Sequence, residues 1–192
     1  MCTEIEAKLK VDSLAEIKRK LTELGAEPVA EQLQTDQFFD NVDTGLAKTD
    51  RCLRLRRQVV DNIERFFLTY KGAKEKSDFK KRQEIELEIS NAESARKLLS
   101  ALGYEQVLTI EKKRHLWRIG ECKVTLDKLP LLGDFIEIEG PDDKSISDVQ
   151  KNLGLSEVPH IPKSYASLIK DQLQQSGKDI KVVFFESSEA QL

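Results

Sequence analysis

The chain has 192 residues, and its 39% hydrophobic and 34% charged residues are typical of one folded globular domain and not of a disordered chain. Its 31 Lys and Arg residues nearly balance 34 Asp and Glu residues, so the net charge of -3 argues against a protein that coats nucleic acid non-specifically. The sequence shows no secretory signal and no apolar run near the roughly 20 residues of a membrane helix, so we expect neither a nucleic-acid nor a membrane partner. Its three widely separated cysteines favour a reducing, cytoplasmic location.

The first half of the chain is predicted to hold one helix among four strands. The helix opens with the capping box Ser13-Leu14-Ala15-Glu16 and stops at Gly25. The strands are predicted from alternating apolar and polar residues. In chain order they are Glu4–Val11, Asp36–Asp40, Cys52–Val60 and Arg65–Lys71.

The second half is predicted to hold four more strands and three helices. The strands are Lys81–Ser90, Val107–Ile119, Cys122–Leu126 and Phe135–Glu139. The helices begin at about Asn91, near Ser145 or Ser147, and after Pro162, with Tyr165 expected mainly as a core anchor. In the tail, Lys181–Phe185 is a candidate final strand, and Glu186–Leu192 is expected to fray.

The eight strands follow one another mostly as hairpins, which favours an α+β fold. We expect a closed or nearly closed eight-stranded antiparallel barrel with the helices packed outside. The tripeptide Glu-Ile-Glu occurs three times in these strands, at residues 4–6, 84–86 and 137–139. Because residues i and i+2 of a strand point to the same side, each copy places two carboxylates on one face and an isoleucine on the other.

Charged residues share one face on most of the predicted strands. An antiparallel sheet with one face in water would also give this alternation, so a solvated charged face is one interpretation. The other is a charged barrel interior, because the helices need the apolar faces and because like charges are grouped along single strands. The charged-face residues are Glu4, Glu6, Lys8, Arg54, Arg56, Lys71, Glu84, Glu86, Lys112, Arg114, Asp127, Glu137 and Glu139. The strand of Lys112 and Arg114 is ambiguous, because Glu111 and Lys113 occupy its other face.

The basic members of this face carry roughly the charge needed to neutralise a triphosphate. Arginine forks match phosphate oxygens, and lysine acts as a point charge. They are Lys8, Arg54, Arg56, Lys71, Lys112 and Arg114. The acidic members offer only oxygen ligands, which select Mg²⁺ or Mn²⁺ over zinc or copper. The metal-ligand candidates are Glu4, Glu6, Asp127, Glu137 and Glu139, with Glu84 and Glu86 as supporting acids.

Ordered motifs at these strands resemble the CYTH superfamily, also called triphosphate tunnel metalloenzymes. The N-terminal Glu-x-Glu-x-Lys pattern is met by Glu4-Ile5-Glu6-Ala7-Lys8. Within the superfamily the chain is most similar to class IV adenylyl cyclases. The motifs that carry the resemblance are Leu53-Arg54-Leu55-Arg56, Leu68-Thr69-Tyr70-Lys71-Gly72, Arg82-Gln83-Glu84, Ile110-Glu111-Lys112-Lys113-Arg114, Leu126-Asp127, the segment from Leu132 to Glu139, and Lys163-Ser164-Tyr165.

The resemblance implies a divalent-metal-dependent enzyme that acts on a triphosphate small molecule. A tunnel domain over residues 1–175, a C-terminal extension over 176–192 and a homodimer would be expected. The leading expectation is conversion of ATP to cyclic AMP and pyrophosphate. Alternatives are a tripolyphosphatase, a thiamine triphosphatase, and a polyphosphate-binding module without catalysis. The catalytic candidates are Lys8, Arg56, Lys112 and Arg114.

Overall fold

The computed structural model describes residues 2–41, 45–75 and 79–186. Nine strands, four α-helices and one 3-10 turn are present in this part of the chain. In chain order they are β1 (Cys2–Lys10), α1 (Leu14–Glu23), β2 (Glu27–Asn41), the 3-10 turn (Ala47–Thr49), β3 (Cys52–Val60), β4 (Ile63–Lys71), β5 (Lys80–Ile89), α2 (Ala92–Ala101), β6 (Tyr104–Ile119), β7 (Cys122–Leu129), β8 (Gly133–Glu139), α3 (Asp143–Asn152), α4 (Tyr165–Gln175) and β9 (Val182–Val183).

Eight of the strands form a closed antiparallel barrel. Their order around the barrel is β2-β3-β4-β5-β1-β8-β7-β6, and pairing of β6 with β2 closes the ring. The closing seam is long, running from Glu27 opposite Arg118 to Asn41 opposite Tyr104. The predicted eight-stranded barrel with outer helices is therefore confirmed.

Strand β2 is much longer than the sequence indicated. The predicted segment began at Asp36, whereas the strand begins at Glu27. Its first half lacks apolar alternation, because Glu31, Gln32 and Gln34 place polar side chains on both faces. Pairing with β6 along the whole seam stabilises this half as a strand in spite of its composition.

Side-chain caps define where the helices begin. Ser13 accepts a hydrogen bond from the backbone N–H of Glu16, and Asn91 caps α2 in the same way, as predicted. The predicted start of α3 near Ser145 or Ser147 was wrong. Asp142 caps this helix and accepts from the N–H of Ser145, because aspartate is as good an N-cap as serine.

The helices cover apolar outer faces of the barrel. The largest core cluster joins Ile17 and Leu21 of α1 and Ile146 of α3 to outward residues of β1, β7 and β8 such as Val124 and Ile138. Smaller clusters lie under α2 and α4. The expectation that isoleucine faces are covered fails on β5, where Ile85 and Leu87 are 43% and 58% exposed.

The C-terminal segment packs outside the barrel. Val182 and Val183 pair in parallel with Thr109 and Ile110 of β6, so the candidate final strand at Lys181–Phe185 is shorter than predicted. Of the tail expected to fray, residues 187–192 lie outside the described residues. Within the described part of the chain, none of the helices has the length and apolar character needed to span a bilayer.

Candidate active site in the barrel interior

The barrel encloses a cavity of about 800 Å³. All the predicted site residues except Asp127 line it. The charged face is therefore the interior of the barrel, and the alternative of a solvated sheet face is wrong. The predicted lining residues are Glu4, Glu6, Lys8, Arg54, Arg56, Lys71, Glu84, Glu86, Lys112, Arg114, Glu137 and Glu139.

Arg56 is fixed by a carboxylate that the sequence did not single out. Asp36 lies opposite Arg56 in the β2–β3 register and accepts two hydrogen bonds from its guanidinium, at 2.6 and 2.8 Å. Burial alone would raise the pKa of Asp36, but the charges of Arg56 and Arg54 hold it well below its usual range. Asp36 lies in β2, whose apolar and polar residues do not alternate clearly. Only its pairing with Arg56 on β3 could have identified it.

Arg114 is held by two carboxylates on neighbouring strands. Its guanidinium donates to both oxygens of Asp127, at 2.7 and 2.5 Å, and to Glu137 at 2.5 Å. Asp127 is 0% exposed and does not line the cavity. Burial would raise the pKa of Glu137, but Lys8 and Arg114 hold it well below its ordinary value. Asp127 therefore orients Arg114 toward the cavity in this arrangement.

Tyr165 of α4 reaches into the interior. Its hydroxyl donates to Asp127 Oδ2 at 2.9 Å, and its ring centroid lies 4.0 Å from Lys8 Nζ and 5.2 Å from Lys112 Nζ. The residue also packs in the core beneath α4, as predicted. It thus links a core helix to three charged residues of the barrel interior, a role for which its spacing in the sequence gave no signal.

Lys112 is the most perturbed lysine of the site. It is 4% exposed, and its Nζ lies 3.8 Å from Asp127 Oδ2. Burial and, secondarily, the charge of Arg114 lower its pKa from 10.5 to about 7, while Asp127 acts in the opposite direction. Near neutral pH this side chain can therefore exist with or without its proton.

The proposed metal donors form ion pairs with lysines. Glu4 contacts Lys71 at 2.7 Å, Glu6 contacts Lys80, and Glu139 contacts Lys123 at 2.9 Å. Lys80, 8% exposed in its side chain, is a further interior cation, and it lies just before the strand predicted from Lys81. Among the residues described, no three His, Cys, Asp or Glu side chains are grouped closely enough to hold a metal.

The donor set nevertheless fits a hard divalent cation. Glu6 lies directly opposite Glu139 in the β1–β8 register, and Lys8 lies opposite Glu137. Directly opposed carboxylates repel unless a cation lies between them. The lysines supply that charge here, and a divalent ion with oxygen preference could replace them after side-chain rearrangement.

The middle Glu-Ile-Glu copy supports basic side chains. Glu84 contacts Lys71 at 2.7 Å, and Glu86 contacts Arg54 at 3.6 Å and accepts a hydrogen bond from Thr69. Burial would raise the pKa of Glu84, but Lys71 lowers it below its usual value. In this structure the two supporting acids are therefore ion-pair partners of basic residues of the interior.

One end of the cavity is partly apolar. It lies where β2 ends and where β3 and β6 begin, since Phe38 pairs with Arg54 and Leu108. The loop after β2 is held there by Asp40, whose carboxylate accepts from the N–H groups of Leu46 and Ala47. The apolar lining side chains at this end are Phe38, Leu46, Ala47, Leu53, Val107 and Ala166.

Residues 3–165 match the CYTH domain family. The chain belongs to this family. A Methanocaldococcus jannaschii protein named as a candidate adenylate cyclase, MJ0240, is 33% identical over 88% of this chain and 93% of its own length. The Aeromonas hydrophila adenylate cyclase CyaB is 27% identical over 92% of this chain and 94% of its own. The CYTH family comprises divalent-metal-dependent enzymes that act on triphosphates, so these properties extend to this chain.

Solved structures have the same CYTH architecture. The PH1819 protein of Pyrococcus horikoshii superposes with a TM-score of 0.78 at 30% identity, covering 88% of this chain and 99% of its own. A Hippeastrum adenylyl cyclase homologue described as having a dominant triphosphatase activity has a TM-score of 0.67 at 20% identity, with coverage of 92% and 97%. At that identity, the Hippeastrum protein shares the fold alone.

Proposed function

We propose that this CYTH protein is an adenylyl cyclase that converts ATP to cyclic AMP and pyrophosphate with Mg²⁺ or Mn²⁺. The observation that carries the proposal is one cavity in which phosphate-binding cations, oxygen donors and an apolar end lie together. In this reaction the ribose 3′-hydroxyl oxygen bonds to the α-phosphorus, the bond to the β-phosphate oxygen breaks, and the hydroxyl proton is released.

The cations are proposed to hold the triphosphate and to stabilise the charge that develops on it. Arg56 and Arg114 are positioned by bidentate carboxylates, which leave their remaining N–H groups for phosphate oxygens. Lys8 and Lys112 add point charges close to the Tyr165 ring. Positioning and charge stabilisation are most of what phosphoryl transfer asks of a protein. Arg54 and Lys71 complete the proposed set.

The carboxylates are proposed to hold the metal, which would neutralise phosphate oxygens when bound. Glu4, Glu6, Glu137 and Glu139 line the cavity on the adjacent strands β1 and β8. Asp127, also predicted as a ligand, would have to exchange its contacts with Arg114 to join them.

The apolar end of the cavity favours a substrate that carries an organic group. Tripolyphosphate has no apolar part and gains nothing from Phe38 or Val107, whereas a nucleoside can bury its base there. The names of the Methanocaldococcus and Aeromonas relatives point to the same activity.

Product identification tests the proposal. Purified protein with Mg²⁺ or Mn²⁺ is incubated with ATP, thiamine triphosphate and tripolyphosphate, and we expect cyclic AMP and pyrophosphate from ATP. Glu6→Gln is expected to reduce this rate at least about 100-fold, whereas Glu105→Gln, on an exposed position of β6, leaves it unchanged. Phosphate release without cyclic AMP would establish a triphosphatase instead, and binding without turnover would leave a polyphosphate-binding module.

A further inference from the structure

Arg82 of β5 is an interior cation without an assigned partner. It lies opposite Glu4 in the β1–β5 register, on the interior face that also carries Glu84. The residue lines the cavity and is only 3% exposed. Its charge contributes to the pKa values of Cys52 and Asp50, which places it near the loop end of the cavity.

The other strand-borne cations that line the cavity all have a carboxylate within 4.0 Å. Examples are the pairs Lys71–Glu4, Lys80–Glu6 and Arg56–Asp36. Arg82 forms no ion pair with any residue in the described ranges 2–41, 45–75 and 79–186, and its buried Nε has no hydrogen-bond partner there. Its guanidinium therefore faces the cavity without an ion-pair contact to those residues, and Asp50 acts on it only at longer range.

An uncompensated buried charge destabilises a protein, and a bound anion removes the penalty. When a triphosphate enters, each paired cation has to exchange a carboxylate for a phosphate. Breaking the existing ion pair reduces the free energy that the cation contributes to triphosphate binding. Arg82 has no carboxylate in the described part of the chain to release. Its planar fork suits two phosphate oxygens.

We propose that Arg82 is a triphosphate-binding residue that anchors a phosphate group in the metal-free protein, before the other interior ion pairs exchange. The inference rests on the proposed triphosphate site but not on the reaction that follows binding. Arg82 would bind an anion in the barrel interior before metal is added, while the other strand-borne cations there are still paired with carboxylates.

Calorimetric titration with tripolyphosphate in excess EDTA tests this inference. Arg82→Met is expected to raise the Kd at least about tenfold, the effect of losing one charged phosphate contact. Lys81→Met is the matched control, because it removes the same charge from the same strand on the outer face, where Lys81 pairs with Glu75. Its Kd is expected to stay within about twofold of wild type.

A second readout separates phosphate binding from a structural role. Without ligand, Arg82→Met is expected to melt a few °C higher than wild type, since an unpaired buried charge has been removed. A structural contact would give the opposite shift. Arg82→Gln provides the same comparison if methionine disturbs folding.

The inference is overturned if Arg82→Met binds tripolyphosphate as wild type does, or if Lys81→Met is weakened equally. It is also overturned if wild-type protein binds no tripolyphosphate in EDTA, even where the metal-loaded enzyme turns over ATP. Conversely, tight metal-free binding that depends on Arg82, without cyclic AMP formation, supports the inference while the proposed cyclase activity fails.

Discussion

At the scale of single residues, burial in the barrel interior gives some titratable groups a different charge in the folded chain from the one they have in the unfolded chain. Lys112 has a folded pKa of about 7 against 10.5 in the open chain, because burial and Arg114 disfavour its proton. Between these values the unfolded chain binds a proton that the folded chain lacks, so stability from this residue rises with pH from about 7 to about 10.5. The charged groups that act on it are Arg114, Asp127, Arg56 and Asp36, and the uncharged ring of Tyr165, which also lies beside Lys8, packs against it.

Lys112→Met should remove this pH dependence. We expect the variant to melt higher than wild type at pH 6, where the wild-type lysine is charged and buried, and the difference to shrink toward pH 10. Thermal unfolding of both proteins at fixed ionic strength, from pH 6 to pH 10, measures this difference in melting temperature. Lys113→Met, on the exposed neighbouring position, serves as the control and should track wild type. Parallel curves for wild type and Lys112→Met would contradict the prediction.

Tyr165 allows the hydroxyl and the ring to be tested separately. Tyr165→Phe keeps the ring beside Lys8 but removes the donor to the buried Asp127. We expect a loss of about 1–2 kcal/mol in the free energy of unfolding, measured with urea, because a buried carboxylate loses one hydrogen bond. Because Arg114 still holds Asp127, catalysis should fall by no more than about tenfold. An unchanged stability would show that the hydroxyl contact contributes nothing.

At the scale of elements, the sequence predicted the barrel because most strands alternate clearly and most helices carry their own caps. Side-chain parity predicted ten of the lining residues. It left Lys112 and Arg114 ambiguous, because Glu111 and Lys113 place charges on the other face of β6 as well. It missed Asp36 and Lys80, because nothing local marks a residue whose importance comes from a partner on another strand. Tyr165 was expected mainly as a core anchor, because its contact with Asp127 spans 38 positions in the sequence and no local pattern marks it.

Strand β9 contributes to stability from outside the site. Its Val183 is 5% exposed, the backbone N–H of Thr109 donates to Lys181, and that of Phe185 donates to the buried Glu111. Ending the chain after Asp179 should lower the melting temperature by roughly 4–12 °C, as expected for about 2–3 kcal/mol of lost burial and hydrogen bonding. Tripolyphosphate affinity should not change. A truncated protein with weakened binding would show that β9 influences the interior.

At the scale of the whole molecule, the cavity wall combines carboxylates from β1 and β8 that repel without a cation. We expect Mg²⁺ or Mn²⁺ to raise the melting temperature when added with a triphosphate, because a ligand present at 100 times its Kd stabilises by about 2.7 kcal/mol. EDTA should remove the metal-dependent part of the shift. Glu139→Gln should reduce it, while the exposed Glu105→Gln should not. An equal shift in all three proteins would place the metal elsewhere.

The position of β1 also governs how the barrel is made. This strand precedes the other described strands in the sequence, yet it lies between β5 and β8, and β8 ends at Glu139. Its Glu4 can pair with Arg82 as soon as β5 has been synthesised, whereas its Glu6 cannot meet Glu139 until β8 has followed. Pairings between segments so distant in sequence form slowly. Closure of the tunnel is therefore a late event in biosynthesis, and the edge of β1 that faces β8 has to wait, unpaired, until that strand has been made.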